Sequence, residues 1–193
     1  MKTTSQDFHI ASPKDWRPFV VTENGKLPPQ PRAVVSREGV ADRLRAAAFA
    51  EVQARDAFLW AADRFTDAPS DLRQAWRTLA IEEDKHLGWL LIRLEALGFA
   101  VDERPVSDRL WHSFQSCSTA YEFASYMASA ETRGQAAGEK FFRDMNATDP
   151  VSAKIFAQIA LEEKAHVELA ARYLPVLPNP PVPRADVDNP VTS

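Results

Sequence analysis

Six side chains in this 193-residue sequence have types and spacings that suit shared chemistry: Glu51, Glu83, His86, Glu131, Glu163 and His166. The word Ile81-Glu82-Glu83-Asp84-Lys85-His86 recurs as Leu161-Glu162-Glu163-Lys164-Ala165-His166, and each copy contains Glu-x-x-His. Glu51 precedes Glu83 by 32 residues, as Glu131 precedes Glu163 (83 − 51, 163 − 131). The second set follows the first at one offset of 80 (131 − 51, 163 − 83, 166 − 86). A step of three residues puts each histidine on the helix face of its glutamate. Four buried carboxylates repel one another, and each costs several kcal/mol without a partner. Two divalent cations would remove that repulsion. Mixed carboxylate and imidazole donors suit iron or manganese better than calcium or magnesium.

The elements that carry these residues follow from hydrophobic periodicity, and the expected class is all-α. Helix A, from about Ser36 to Phe65, has the stripe Leu44, Ala47, Ala48, Ala54, Phe58, Ala61 and Phe65, with Glu51 on it. Helix B, capped by Ser70 or Asp71, runs to Leu97 and buries Glu83 and His86 where leucines would otherwise sit; Gly98 closes it. Helix C runs from about Ser118 to Asn146. Helix D starts with Asp149 as cap and Pro150 in its first turn, and runs to about Leu174. The A–B turn is centred near residue 68, with Glu51 17 positions before it and Glu83 15 after; the C–D turn near 148 stands in the same relation to Glu131 and Glu163. At about 1.5 Å per residue, the glutamates of each hairpin fall within about 3 Å of one level. The expected fold is therefore an antiparallel four-helix bundle over residues 36–174. A proline-rich arm (1–35) precedes it and a proline-rich tail (175–193) follows. Trp16, Phe19 and Val20 would pin the arm. The link of residues 98–117 either crosses the length of the bundle or returns at one end.

Composition narrows the class. Net charge is −4, which argues against a strongly basic nucleic-acid surface but leaves a tRNA substrate open. The single cysteine, Cys117, forms no internal disulfide, fits a reducing cytoplasm and excludes a four-cysteine knuckle in this chain. No apolar stretch approaches the roughly 18 residues of a membrane span, and no secretory signal is visible at the N-terminus. Gly134 and Gly138 lie on the ligand face of helix C, where glycine costs about 1 kcal/mol each relative to alanine, so space is wanted beside the ligands there, for a substrate or oxygen cavity or for close helix packing. Their partners at the 80-residue offset, Ala54 and Phe58, are larger, so the space should be lopsided. Arg55 and Gln135, one turn past Glu51 and Glu131, are further candidates for its lining.

In these residues the chain resembles the ferritin-like di-iron carboxylate superfamily, whose ligand set is one Glu from each of two helices plus Glu-x-x-His from each of the other two. The segments Arg93–Gly98, Pro105–Asp108 and Leu110–Trp111 resemble, more narrowly, a bacterial ferritin-like family of unassigned function. The resemblance implies a non-haem di-iron oxidoreductase (oxidase, hydroxylase or peroxidase) with two iron ions, manganese or a mixed pair being alternatives. Glu51 and Glu131 would be terminal ligands, and Glu83 and Glu163 bridging ones. Glu82 and Glu162 would bond the far nitrogens of His166 and His86. Expected partners are O₂ or peroxide, an external electron donor and a small organic substrate; a homodimer is allowed. The alternatives are a ferroxidase or iron-handling protein, and an interaction protein with a structural dinuclear site.

Overall fold

The computed structural model describes residues 14–23 and 26–178. Its helices are α1 (Arg37–Arg64), α2 (Ser70–Ala96), a short α3 (Arg109–Gln115), α4 (Ala120–Met145) and α5 (Pro150–Tyr173). The four long helices form a ferritin-like antiparallel bundle built from two hairpins, α1–α2 and α4–α5. No helix among the described residues is long and apolar enough to cross a membrane.

Local chemistry sets the helix ends. Ser36 caps α1 through its hydroxyl, which accepts from the Gly39 amide at 3.0 Å. A side chain at Gly39 would put its Cβ 1.8 Å from the Ala33 carbonyl oxygen, so the arm can enter α1 only over a glycine. Asp149 caps α5, accepting from Ser152 N at 3.1 Å, with Pro150 in the first turn. Gly98 takes φ 76° and closes α2. Two expected starts are corrected. Neither Ser70 nor Asp71 caps α2: the cap position is Pro69, without a side-chain bond, and Asp71 instead accepts from the Tyr173 hydroxyl at 2.7 Å. Thr119 caps α4, accepting from Glu122 N at 3.1 Å, so the helix begins at Ala120, two residues after the expected Ser118 start.

The link between hairpins is a crossover. It climbs α1 from Arg45, which donates to Ala100 O at 2.7 Å, past Gln53, whose Oε1 accepts from Trp111 N at 2.9 Å, to Trp60, whose ring lies 6.4 Å from Trp111. Phe114 then meets Phe123 near the start of α4. Thus α4 begins beside the α1–α2 turn, and Arg93, near the end of α2, donates to the α5 cap Asp149 at 2.8 Å. Helices α2 and α4 run parallel.

Part of the N-terminal arm straps the crossover. Trp16 and Phe19 are buried against Phe49, whereas Val20 is 45% exposed and holds the arm through its backbone carbonyl alone. A parallel bridge joins Val21 to Val106, with Thr22 N donating to Val106 O and Val106 N to Val20 O, both at 2.9 Å. At the other end, Leu174–Val176 makes a 3₁₀ turn and Leu177 is buried. The rest of the proline-rich tail (179–193) and the first 13 residues lie outside the described residues.

Candidate metal centre

Each long helix delivers its donors near its middle, and the shared level brings them into one layer: Glu51 from α1, Glu83 and His86 from α2, Glu131 from α4, Glu163 and His166 from α5. All six are buried. They fall into two groups, Glu51–Glu83–His86–Glu163 and Glu83–Glu131–Glu163–His166, with the donor atoms of each group within 4.8 Å of one another. Glu83 and Glu163 belong to both. Glu83 turns Oε2 to His86 Nδ1 (3.7 Å) and Oε1 to His166 Nδ1 (3.0 Å). Glu163 turns Oε1 to His86 Nδ1 (3.6 Å) and Oε2 to His166 Nδ1 (3.2 Å). Glu51 stands 4.0 Å from His86 Nδ1, and Glu131 falls in the His166 group alone.

The outward imidazole nitrogens are held as well. His86 Nε2 lies 2.7 Å from Glu162 Oε2, and His166 Nε2 lies 3.0 Å from Glu82 Oε2. A carboxylate at Nε2 favours the tautomer with Nε2–H donating outward, which leaves the Nδ1 lone pair facing the layer. Two further contacts hold this rim, one across the hairpins without a local sequence signal and one at a four-residue step along α5. Lys85 Nζ reaches Glu162 at 2.7 Å, and Gln158 Nε2 donates to it at 2.8 Å. Burial raises the Glu162 carboxyl, but Lys85, Gln158 and His86 outweigh it and hold it down to about 2.

The donor set fits metal ions. Both oxygens of Glu83, one each of Glu131 and Glu163, and Nδ1 of both histidines are buried without a hydrogen-bond partner, and native proteins leave few such groups unsatisfied. Donors about 2.0–2.2 Å from one ion lie up to about 4.4 Å apart, comparable to each group's span. In the metal-free chain, protons take over the role of cations. Burial, reinforced by Glu83 and Glu163, drives Glu51 well above the ordinary carboxyl range, and burial with the Glu163 contact does the same to Glu131. Burial pushes Glu83 the same way, yet His166 and His86 prevail and hold it at about 2. Burial would lower His166, but Glu163 and Glu83 raise it to about 11; His86 also rises against its burial.

Of the four expected lining residues, the structure places two at a cavity beside this layer. Gly134 and Gly138 line a pocket of about 310 Å³ between α1, α4 and α5 that reaches Glu51 and Glu163. Gly134 would leave open space around an added Cβ; Gly138 also serves close packing, since its Cβ would meet Ala160 Cβ and Phe156 O at 3.0 Å. Arg55 and Gln135 do not line it. The Arg55 guanidinium swings out to Asp84 (2.7 Å) and Asp56 (2.9 Å), because a four-residue step past Glu51 turns about 40° around the helix and the long stem reaches water. Gln135 faces a separate groove between α4 and α5 with Glu139 and Lys164. The opposite wall, Arg43, Ala46, Ala47 and Ala50, escapes the sequence argument. Its signal is the small-residue run Ala46-Ala47-Ala48 a turn before Glu51. Trp76 is buried in the aromatic core, and burial raises the half-buried Cys117 thiol, contrary to the lowering that a helix start would favour.

A family model described as "Protein of unknown function (DUF455)" matches residues 3–179. No curated protein matches the sequence. Among solved structures, a dodecameric thioferritin, the bacterioferritin-related protein from Bacteroides fragilis, is similar at a TM-score of 0.62 and 20% identity, over 73% of this chain and 87% of that one. At that identity the likeness speaks for the fold.

Proposed function

This chain belongs to the DUF455 family, and we propose that it is a non-haem di-iron oxidoreductase acting with O₂ or peroxide on a small organic substrate. The observation that carries the reading is the pair of donor groups sharing Glu83 and Glu163, with unpartnered atoms turned inward, next to an apolar cavity. A purely structural metal site needs no cavity beside its ligands, and a storage site needs no apolar pocket lined by Phe141 and Phe156.

Glu83 and Glu163 present one oxygen to each side and would bridge the metals; Glu51 and Glu131 would each hold one. Glu162 and Glu82 hold the imidazoles against rotation by accepting from Nε2–H. The iron pair, when bound, supplies the electrons exchanged with O₂ or peroxide. Ala137, Phe141, Phe156 and Ile159 would hold an apolar substrate beside that exchange. The one cysteine makes no electron-transfer cluster in this chain, so the reductant would be external. Manganese or a mixed pair suits the same donors.

The test is oxygen consumption by anaerobically iron-loaded protein. A di-iron oxidase consumes O₂ catalytically once reductant is supplied, with absorption changes that return on each cycle. Uptake that stops after one stoichiometric oxidation and grows with added iron would favour iron handling instead. Bound metal inert to both O₂ and peroxide would leave only a structural role.

A further inference from the structure

The cavity beside the ligand layer has two unlike ends. At one end are the Glu51 and Glu163 carboxylates; between the two ends the walls are apolar, from Ala47, Gly138, Phe141 and Phe156 among others. At the other end stands Arg43. Its Nη1 donates to the carbonyls of Arg32 (2.8 Å) and Gly39 (2.7 Å), and its guanidinium lies over the Phe141 ring at 5.8 Å. Its Nη2 and Nε have no hydrogen-bond partner, and it has no carboxylate partner, among the described residues. A planar cation pinned on one edge with its other edge free is built to receive an anion. Arg43 and Glu51 are eight residues apart on α1, so the two ends are separated by about 12 Å along the helix.

We propose that this cavity binds an amphiphilic acid: a slender apolar chain lying between α1 and α4, its anionic head on Arg43 and its far end beside Glu51 and Glu163. The orientation follows from charge, since Arg43 is the cationic side chain among the residues lining the cavity and draws an anionic head to its end. The width follows from the wall, because alanine and glycine line the passage where larger side chains would close it. The volume of about 310 Å³ sits at the lower edge of small-molecule sites. The carbon presented to the metal layer is then the one remote from the head. Calling this ligand a substrate rests on the redox reading above; the binding site itself does not.

The test uses octanoate, with octan-1-ol and octylamine as comparators, titrated calorimetrically into the metal-loaded full chain. Octanoate is expected to bind at least tenfold tighter than either comparator, as a charge-assisted bond implies. Arg43→Gln should erase that preference and Arg43→Lys should keep most of it, which separates lost charge from a disturbed arm. Gly134→Leu should weaken all three ligands at least tenfold while leaving metal content unchanged. Its helix has open space at that position and gains a better helix former, so it folds. Equal binding of octanoate and octanol, tighter octylamine, or a preference that survives Arg43→Gln would overturn the proposal. A chain that holds two metals but no octanoate defeats this proposal alone. Octanoate bound with its Arg43-dependent preference to a chain that takes up no metal defeats the redox reading and leaves the site standing.

Discussion

The two sides of the bundle share one ligand frame and differ in what fills the space beside it. On one side Ala47, Gly134, Gly138 and Arg43 border an open pocket. At the 80-residue offset stand Met127, Ala54, Phe58 and Phe123 (127 − 47, 134 − 54, 138 − 58, 123 − 43). There the space is solid: Phe58 packs edge-on to Phe123 at 6.2 Å and to His166 at 6.4 Å, and Trp76 meets Phe123 at 5.2 Å. The duplication repeats the donors but not their surroundings. Metal binding and access to the metals are thus written in different residues, and each can be altered with limited effect on the other.

The comparison breaks most visibly at Phe58. Phe58→Ala should hollow the filled side and cost about 3–5 kcal/mol in urea unfolding; a cost under about 1 kcal/mol would mean that this side is not packed as described. A second contrast sets the metal-free chain against the loaded one across pH. Glu51 and Glu131 are raised above the ordinary 4.5, and His166 is raised from 6.5 to about 11. The folded metal-free chain therefore binds more protons than the unfolded one, and the stability these groups provide is lost as pH rises from about 4.5 toward 11. Glu83, held at about 2, acts in the opposite sense only between about 4.5 and 2. Bound metal should flatten the alkaline loss, and chemical unfolding at pH 6, 8 and 10 with and without metal would show it.

At the rim, Glu162→Gln should weaken metal binding about 10- to 100-fold by freeing His86. Glu82→Gln should do less, because Glu82 lacks the additional lysine and glutamine contacts of Glu162. Competition with a chelator of known affinity measures both, and equal losses would show the rim to be symmetric after all. The smallest effect concerns the two glycines. Gly134→Ala should stabilise by about 0.5–1 kcal/mol as a helix substitution with free space around it. Gly138→Ala, crowded by α5, should lack that gain. Thermal melts of the pair are sufficient to tell.

Which features could be read in advance follows from their physics. Helix periods, the Asp149–Pro150 start and the Gly98 stop are local, so the four-helix class is legible in the sequence. The level of the six donors is legible because chain length converts to height at a fixed rise. What lies beyond local pattern is less so. Arg55 and Gln135 share the turn after their glutamates, yet the Arg55 side chain swings out to Asp84 and Asp56 and Gln135 faces the groove between α4 and α5. The path of the crossover depends on Gln53 and Arg45 meeting backbone carbonyls and amides 54 or more residues away. Lys85 on Glu162 joins two hairpins and has no sequence-local sign. Arg43 becomes a cavity residue only once Pro31, α4 and α5 surround it.

The most direct measurement is metal per chain after anaerobic loading and removal of loose ions, for the wild type and Glu163→Ala together. The account predicts about two ions on the wild type and, because Glu163 serves both donor groups, fewer than one on the variant. A wild type that retains less than one ion, or a variant that keeps both, would contradict it.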